Sequence, residues 1–350
     1  MDAYDTAGNN AHGETRHPMN RAMPSGDSRQ ERAPDLVGAG TLSHGKQAWL
    51  MLVVIVSMAI CYPLIKVGLA FAPPLHFAAL RTILGGLTLV LVLVIRRKRL
   101  WPRASLARWI LPLGVLATTL TFGTMFAGPA YIGAGLAAVL GNTQPLIIIV
   151  LAALFLGERI SLSKAAALLF GLAGVSLLAL PAWRQPGGSD LFGIVLALGS
   201  AFSAAVASVI MKRLRPGEDL MSLIAWQLVV GGGLLFAVSL SFEVSQGIVW
   251  TGTFVGILLI LALAGTALST WLWFWLLQRA EAGRLSLYLF LVPVLGLFAA
   301  MASFDERLGA LQAGGVALIL LAVMRAMFKV RTESAAPFPA RATQAVRRMQ

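Results

Sequence analysis

The sequence contains one cysteine, Cys61, among 350 residues, and charged residues make up only 12% of the chain. A single cysteine excludes an intramolecular disulfide and any zinc site built from several cysteines. A soluble domain carries roughly 25% charged residues, whereas this chain is 58% hydrophobic and has a mean hydropathy of +0.79. A folded chain of this length cannot hide so much apolar surface from water. The composition therefore indicates a polytopic membrane protein.

Ten apolar runs are long enough to cross a hydrocarbon core of ~30 Å. They are continuous and lack the alternation of a barrel strand, so they predict an all-α integral membrane fold with ten transmembrane helices. The predicted spans lie near 47–70, 76–95, 106–126, 132–153, 163–181, 190–212, 220–241, 251–276, 283–303 and 309–328.

Polar segments flank the spans at both ends. Residues 1–46 are predicted to form a disordered cytoplasmic tail, and residues 329–350 a basic cytoplasmic tail. The net charge of +13 comes from short basic bursts between apolar runs rather than from one basic face, so no nucleic-acid partner is predicted.

The distribution of Lys and Arg predicts the orientation. With the N-terminus inside, thirteen basic residues fall in cytoplasmic loops and two, Arg184 and Arg307, fall in outer loops. The thirteen are Arg96, Arg97, Lys98, Arg99, Arg103, Arg108, Arg159, Lys164, Lys212, Arg213, Arg215, Arg279 and Arg284. The positive-inside rule then places both termini in the cytoplasm, and a multi-pass protein of the plasma membrane, such as a bacterial inner membrane, is expected.

The two halves of the chain resemble each other, which is the strongest organisational signal. Four residues recur with an offset of 148: Gly135, Pro145, Glu158 and Arg159 match Gly283, Pro293, Glu306 and Arg307. Four others recur with an offset of 146: Ser57, Lys66, Gly85 and Gly86 match Ser203, Lys212, Gly231 and Gly232. The halves are 47–181 and 190–328, with five spans each. Because five is odd, the second half enters the membrane from the opposite side, as in transporters with inverted repeats.

Residues 135–145 (GLAAVLGNTQP) and 156–161 (LGERIS) resemble the signature of EamA-type members of the drug/metabolite transporter superfamily. The second copy, at 283–293 and 305–308, is looser and has Asp305 in place of Gly157. The resemblance spans about residues 47–328 and implies two inverted five-helix repeats. It also implies a central cavity between helices 1–4 and 6–9, and export of amino acids, other metabolites or toxic compounds.

Charged residues at membrane depth are candidates for function. Lys66 in the first span and Arg81 in the second could bind an anionic group of a substrate, or could extend their charged ends to the interface. No Asp, Glu or His falls in the middle of a span, which disfavours proton coupling through a buried acid and binding of cationic drugs. The sequence has no GxxxxGK[ST] run for ATP-driven pumping either.

The fourth span carries three consecutive polar residues, Asn142, Thr143 and Gln144, directly before Pro145. Pro145 removes a backbone donor and predicts a broken helix of the kind that lines transporter sites. Pro293 repeats this break in the ninth span. The alternative is that the polar side chains hydrogen-bond neighbouring helices.

Aromatic residues and one amide complete the predicted substrate site: Tyr62, Trp226, Gln227, Trp271 and Tyr288. Among the alternating tryptophans of the eighth span, Trp271 is expected to be the deepest. Residues two apart on a helix point in different directions, so the three tryptophans cannot all share one face. Trp271 is expected to line the cavity, and Trp273 and Trp275 to belong to the interfacial belt of aromatic residues. Glu158 and Arg159 are expected to cap or anchor helix ends rather than bind substrate.

Together these patterns predict a secondary transporter that exports small metabolites, amino acids or amphipathic and toxic compounds by alternating access. No cofactor and no metal site is predicted, and the expected partners are a small-molecule substrate and the lipid bilayer, with the protein a monomer or weak homodimer. The alternatives are a non-transporting receptor or scaffold, and an exchanger of phosphorylated sugars or nucleotide sugars. An intramembrane enzyme is disfavoured because no nucleophile–base or metal constellation lies at depth.

Overall fold

The computed structural model describes residues 44–128, 131, 140, 141, 143–183, 191–243, 247–304 and 309–328, and these contain helices but no strand. We number the helices α1 (His44–Gly68), α2 (Pro74–Ile95), α3 (Ala104–Ala127), α4 (Gln144–Leu156), α5 (Leu162–Trp183), α6 (Leu191–Leu214), α7 (Leu220–Phe242), α8 (Gly252–Leu277), α9 (Ala282–Leu287, Tyr288–Phe290 and Leu291–Phe304) and α10 (Ala310–Phe328). Most of both predicted tails lies outside the described residues.

Six of these helices, α1, α2, α3, α6, α7 and α8, are long and apolar enough to cross a membrane. Over the described residues the other four have shorter apolar stretches, at Gln144–Leu156, Leu162–Leu177, Ala282–Gly296 and Ala313–Ala322. The all-helical membrane architecture is therefore as predicted, and ten crossings remain a prediction.

Several helix boundaries follow from local sequence. Pro74 stands in the first turn of α2, where its missing N–H removes no hydrogen bond. Helix α4 ends at Gly157, whose φ of 68° is the left-handed conformation that glycine adopts without a steric penalty. Apolar side chains such as Leu162, Leu191 and Phe242 are largely exposed, as expected for surfaces that face lipid.

Several contacts between two helices have a counterpart between the equivalent helices of the other half. The contact of α1 with α9 corresponds to that of α6 with α4. The contact of α3 with α7 corresponds to that of α8 with α2, and the contact of α1 with α8 corresponds to that of α6 with α3. The equivalent helices α2 and α7 pack extensively against each other, as do α5 and α10. This pattern fits the predicted two-repeat architecture.

Equivalent helices α2 and α7 run antiparallel, as an inverted repeat requires. Near one end of the contact, Gly232 lies against Thr82 and Ile83, and further along α2, Gly86 lies against Ala225 and Val229. Along this contact, residue numbers rise in α2 while they fall in α7, so the two helices run in opposite directions.

Candidate functional site

Arg81 of α2 is a charged residue that is buried within the described bundle, with 3% of its surface exposed. Its Nε donates to Thr266 Oγ1 at 3.1 Å and its Nη2 to the Gly265 carbonyl at 3.4 Å. The Phe122 ring of α3 lies 5.3 Å from the guanidinium carbon, a cation–π distance. Nη1 has no hydrogen-bond partner among the residues that the structure describes.

The surroundings of Arg81 bring both halves of the chain together. Cys61 of α1 lies beside the guanidinium and against Gly265 of α8, where an added Cβ would come within 2.3 Å of the sulfur. Arg81 therefore lies where α1, α2 and α3 of the first half meet α8 of the second half, which is the region expected to surround a central cavity.

The two halves place a polar residue at equivalent positions. Gln227 of α7 is 146 residues after Arg81, the offset that relates Gly85 to Gly231. Gln227 is 0% exposed, and neither its Nε2 nor its Oε1 has a hydrogen-bond partner within the described ranges. The first half thus contributes a cation where the second contributes a neutral amide.

The glycines beside these two residues make equivalent close contacts. A Cβ on Gly85 would lie 2.9 Å from Thr266 Cγ2, and one on Gly231 would lie 2.5 Å from Thr118 Cβ. Thr118 and Thr266 are themselves 148 residues apart, so the frame around Gln227 corresponds to the frame around Arg81. The buried Thr118 hydroxyl also lacks a partner in the described region.

Both threonines lie on π-helical segments, Gly114–Leu120 of α3 and Leu263–Leu268 of α8. In the wider turns of α8, the Thr266 hydroxyl reaches the carbonyl of Leu261, five residues earlier, at 3.0 Å. Interruptions of this kind are frequent at functional sites. The threonines of α3 were not predicted as site residues; the repeat offset was the signal in the sequence that could have linked Thr118 to Thr266 of α8.

The two predicted helix breaks lie at segment starts. Pro145 is in the first turn of α4, and Thr143 before it donates its hydroxyl to the Leu140 carbonyl at 2.6 Å. Gln144 is half-buried. In α9 a 3-10 turn at Tyr288–Phe290 precedes the helical segment that contains Pro293.

The predicted aromatic residues do not all gather at Arg81. Trp226 lies near the α2–α3 loop, where its Nε1 donates to the Leu100 carbonyl at 2.8 Å and its ring packs on Trp101. Tyr288 is buried and borders an apolar groove of about 370 Å³ beside the first turns of α1, away from Cys61. The contacts given for Trp226 and Tyr288 are thus with the α2–α3 loop and with α1, rather than with Arg81.

The tryptophans of α8 differ in how far they are buried within the bundle. Trp273 is buried and its Nε1 lies 3.4 Å from Ser208 Oγ, whereas Trp271 is half-buried and packs on Trp275. The direction of each side chain is set by rotation about the helix, and α6 packs on the side that Trp273 faces.

The last three predicted site residues are Lys66, Asn142 and Tyr62. Lys66 is exposed in the last turn of α1. Asn142 lies outside the described residues, as does the side chain of Tyr62. In the described part of the chain, no group of three His, Cys, Asp or Glu side chains is placed to hold a metal ion.

A polar latch joins α4, α6 and α9 at one end of the bundle. The Glu158 carboxylate accepts hydrogen bonds from the backbone N–H groups of Ala282 at 2.7 Å and Gly283 at 2.9 Å, which begin α9. Lys212 of α6 pairs with Glu158 at 2.7 Å and also donates to the Ala280 carbonyl. We call Glu158, Lys212 and this start of α9 the latch. Helix capping by Glu158 was expected, but its pairing with Lys212 was not.

The electrostatics of the latch favour the ionised carboxylate. Burial alone raises the pKa of Glu158, but the Lys212 ammonium and the two backbone N–H groups outweigh burial and hold the pKa below its ordinary value. At the opposite end of the bundle Glu243 caps α2 similarly, accepting from the N–H groups of Leu75 and His76.

Replacing Gln227 tests whether its buried amide lacks hydrogen-bond partners. We expect Gln227→Met to raise the free energy of unfolding by about 1–2 kcal/mol, because it removes a buried amide without partners, and to lower transport. Thermal unfolding in detergent measures the first effect. The matched control is Gln278→Met, which removes a satisfied bond from Nε2 to the Met211 carbonyl at 2.8 Å and should destabilise. A loss of stability in Gln227→Met would show that the amide is bonded.

Comparisons with known proteins follow the same division of the chain. A model of the EamA-like transporter family matches residues 45–180 and again 191–328. The "Uncharacterized transporter YvbV" of Bacillus subtilis (strain 168) is 31% identical over 84% of this chain and 96% of its own length. The "Probable amino-acid metabolite efflux pump" of Escherichia coli (strain K12) is 29% identical over 83% of this chain and 97% of its own length.

A solved crystal structure shares the fold. It superposes with a TM-score of 0.71 at 19% identity, covering 84% of this chain and 100% of the other chain. The two matched copies together span most of the chain, and the relatives align over almost their full lengths. The resemblance seen in the sequence is thus confirmed: the chain belongs to the EamA-like transporter family and is a membrane transporter.

Proposed function

We propose that this transporter exports small metabolites, amino acids or amphipathic compounds by alternating access, through an interior site around Arg81 and Gln227. The proposal includes ten membrane crossings in two inverted halves, 47–181 and 190–328, with tails 1–46 and 329–350 in the cytoplasm. It places the protein in the plasma membrane as a monomer or weak homodimer, without enzymatic activity and without a nucleic-acid partner.

The observation that carries the proposal is the pair of equivalent polar positions at the contact between the halves. In a protein with inverted repeats, exchanging the conformations of the two halves moves access to a central site from one side of the membrane to the other. Arg81 beside Thr266, and Gln227 at the equivalent position, are buried where such an exchange would act.

The latch supports the same mechanism at one end. In the positive-inside orientation, Glu158 and Lys212 lie at the cytoplasmic end, and their contacts tie α4 and α6 to the start of α9. Opening toward the cytoplasm separates these helices and breaks the latch. The bundle described here is held together at that end.

Liposome flux tests the proposal. Purified protein reconstituted with a panel of labelled amino acids, carboxylic acids, sugar phosphates and cationic drugs should give counterflow of at least one compound above protein-free liposomes. Absence of flux for the whole panel, with protein shown to be folded by thermal unfolding, would contradict transport of these classes. Ligand binding without flux would favour a receptor.

A further inference from the structure

Arg81 has a charge that the described protein leaves without a counter-ion. Guanidinium groups stay protonated in proteins, and within the described residues no carboxylate lies within ion-pair distance of this one. The groups beside it, the Thr266 hydroxyl, the Gly265 carbonyl and the Cys61 thiol, are neutral, and the bond to Gly265 is long at 3.4 Å. An unpaired buried charge is costly, so its presence calls for an explanation.

Packing alone does not require a cation at this position. The equivalent residue of the second half is the neutral Gln227, whose neighbouring glycine and threonine correspond to those at Arg81. The same frame therefore accommodates an uncharged side chain. The charge of Arg81 is a feature that the first half has and the second half lacks.

The geometry identifies the chemistry of the missing partner. Nε is held by Thr266, while Nη1 is unpartnered in the described part of the chain and Nη2 has the long contact to Gly265. A carboxylate that engages Nη1 and Nη2 together forms the bidentate pair that guanidinium groups favour. One cation balances one negative charge, which matches a carboxylate better than a phosphate dianion.

We propose that Arg81 is the receptor for a carboxylate of the transported molecule, so that the substrates are monocarboxylates, amino acids among them. The inference rests on the proposed transport function and names its substrate class. Phe122, on the π face of the guanidinium, places apolar surface beside the charge. The rest of the substrate is therefore expected to be neutral or zwitterionic and partly apolar.

Matched ligand pairs test this assignment. Thermal unfolding of the purified protein is measured with leucine and leucinamide, phenylalanine and phenylalaninamide, and inorganic phosphate, and carboxylates are expected to raise Tm where their amides do not. Arg81→Gln should weaken carboxylate binding by about tenfold or more, since a charged hydrogen-bonded contact is lost. Arg81→Lys should retain part of it.

The matched control is Arg279→Gln. Arg279 also lies over an aromatic ring, 3.8 Å from Trp275, and donates to the Trp275 carbonyl, but it is exposed at the end of α8. Its replacement should leave carboxylate binding unchanged. Thermal unfolding without ligand shows whether each variant is folded.

The results of these experiments distinguish failure of the proposed role of Arg81 from failure of the proposed transport function. Equal stabilisation by amides and carboxylates, stabilisation by phosphate alone, or carboxylate binding that survives in a folded Arg81→Gln protein overturns the role of Arg81. Flux of compounds without a carboxylate at rates equal to those of carboxylates also overturns it. Carboxylate binding that depends on Arg81 without any flux overturns transport and leaves the receptor role of Arg81 standing.

Discussion

Gly231→Ala should destabilise the protein by about 3 kcal/mol or prevent its assembly, because overpacking here meets backbone rather than a movable side chain. A Cβ at Gly231 would come within 2.3 Å of the Gly114 carbonyl oxygen and 2.5 Å of Thr118 Cβ. To relieve this steric overlap, α3 must move away from α7 at a contact between the two halves. The temperature of unfolding and the yield of monodisperse protein in detergent measure the effect.

Gly233→Ala is the matched control for Gly231→Ala. The two residues are on the same helix, two positions apart, but a Cβ at Gly233 meets no atom within 4 Å among the described residues. Alanine favours helix over glycine by about 1 kcal/mol, so this variant should be neutral or slightly stabilised. Equal stability of the two variants would contradict the close approach of α3 and α7 and hence the frame around Gln227.

Glu158→Gln should release the latch. The pair with Lys212 is mostly buried, with 11% of the Glu158 side chain and 18% of the Lys212 side chain exposed, so its loss leaves a mostly buried ammonium without its carboxylate. Breaking a buried pair costs about 3–5 kcal/mol, and the remaining exposure reduces this to about 1.5–3 kcal/mol. Because the latch joins α4 and α6 to α9, we expect this end of the bundle, which is cytoplasmic in the proposed orientation, to open about 10- to 100-fold more often.

Thiol labelling measures this opening, since Cys61 is the one native cysteine. In a Cys61→Ala background, Ser286→Cys places a thiol in α9 at a buried position one turn beyond Gly283. Glu158→Gln should speed its reaction with a maleimide. Glu281→Gln is the control, since Glu281 pairs with Lys164 at the same end but is 57% exposed, and exposed pairs contribute little. Similar acceleration by both substitutions would show that the latch has no special role.

The pH dependence of the latch follows from the lowered pKa of Glu158. A carboxylate with a lowered folded-state pKa stabilises the fold above its unfolded pKa, and that contribution is lost as pH falls through the folded value. The stability difference between wild type and Glu158→Gln should therefore be constant from pH 8 to about pH 5, and should shrink below the ordinary Glu value of about 4.3. A difference that changes around pH 7 would contradict this assignment.

Much of the architecture was accessible from the sequence, because it depends on local composition and on repetition. Long apolar runs predict membrane helices wherever they occur, and the offsets of 146 and 148 define two equivalent halves before any contact is known. The offset also relates Arg81 to Gln227, so the unequal charge of the halves was already encoded. Arg81 was predicted as a site residue because it is a charged residue at membrane depth.

Tertiary structure decided which of the predicted residues lie together. Arg81 and Thr266 are 185 residues apart and meet only because α2 packs on α8; Glu158 binds Lys212 and the start of α9 because three helix ends converge. Trp273 rather than Trp271 is buried because α6 covers that side of α8. Hydropathy is a property of a segment, and by itself it predicts that a helix enters the membrane. Burial and hydrogen bonding depend on the rotation of each helix and on its neighbours, so they were determined only when the two halves packed together.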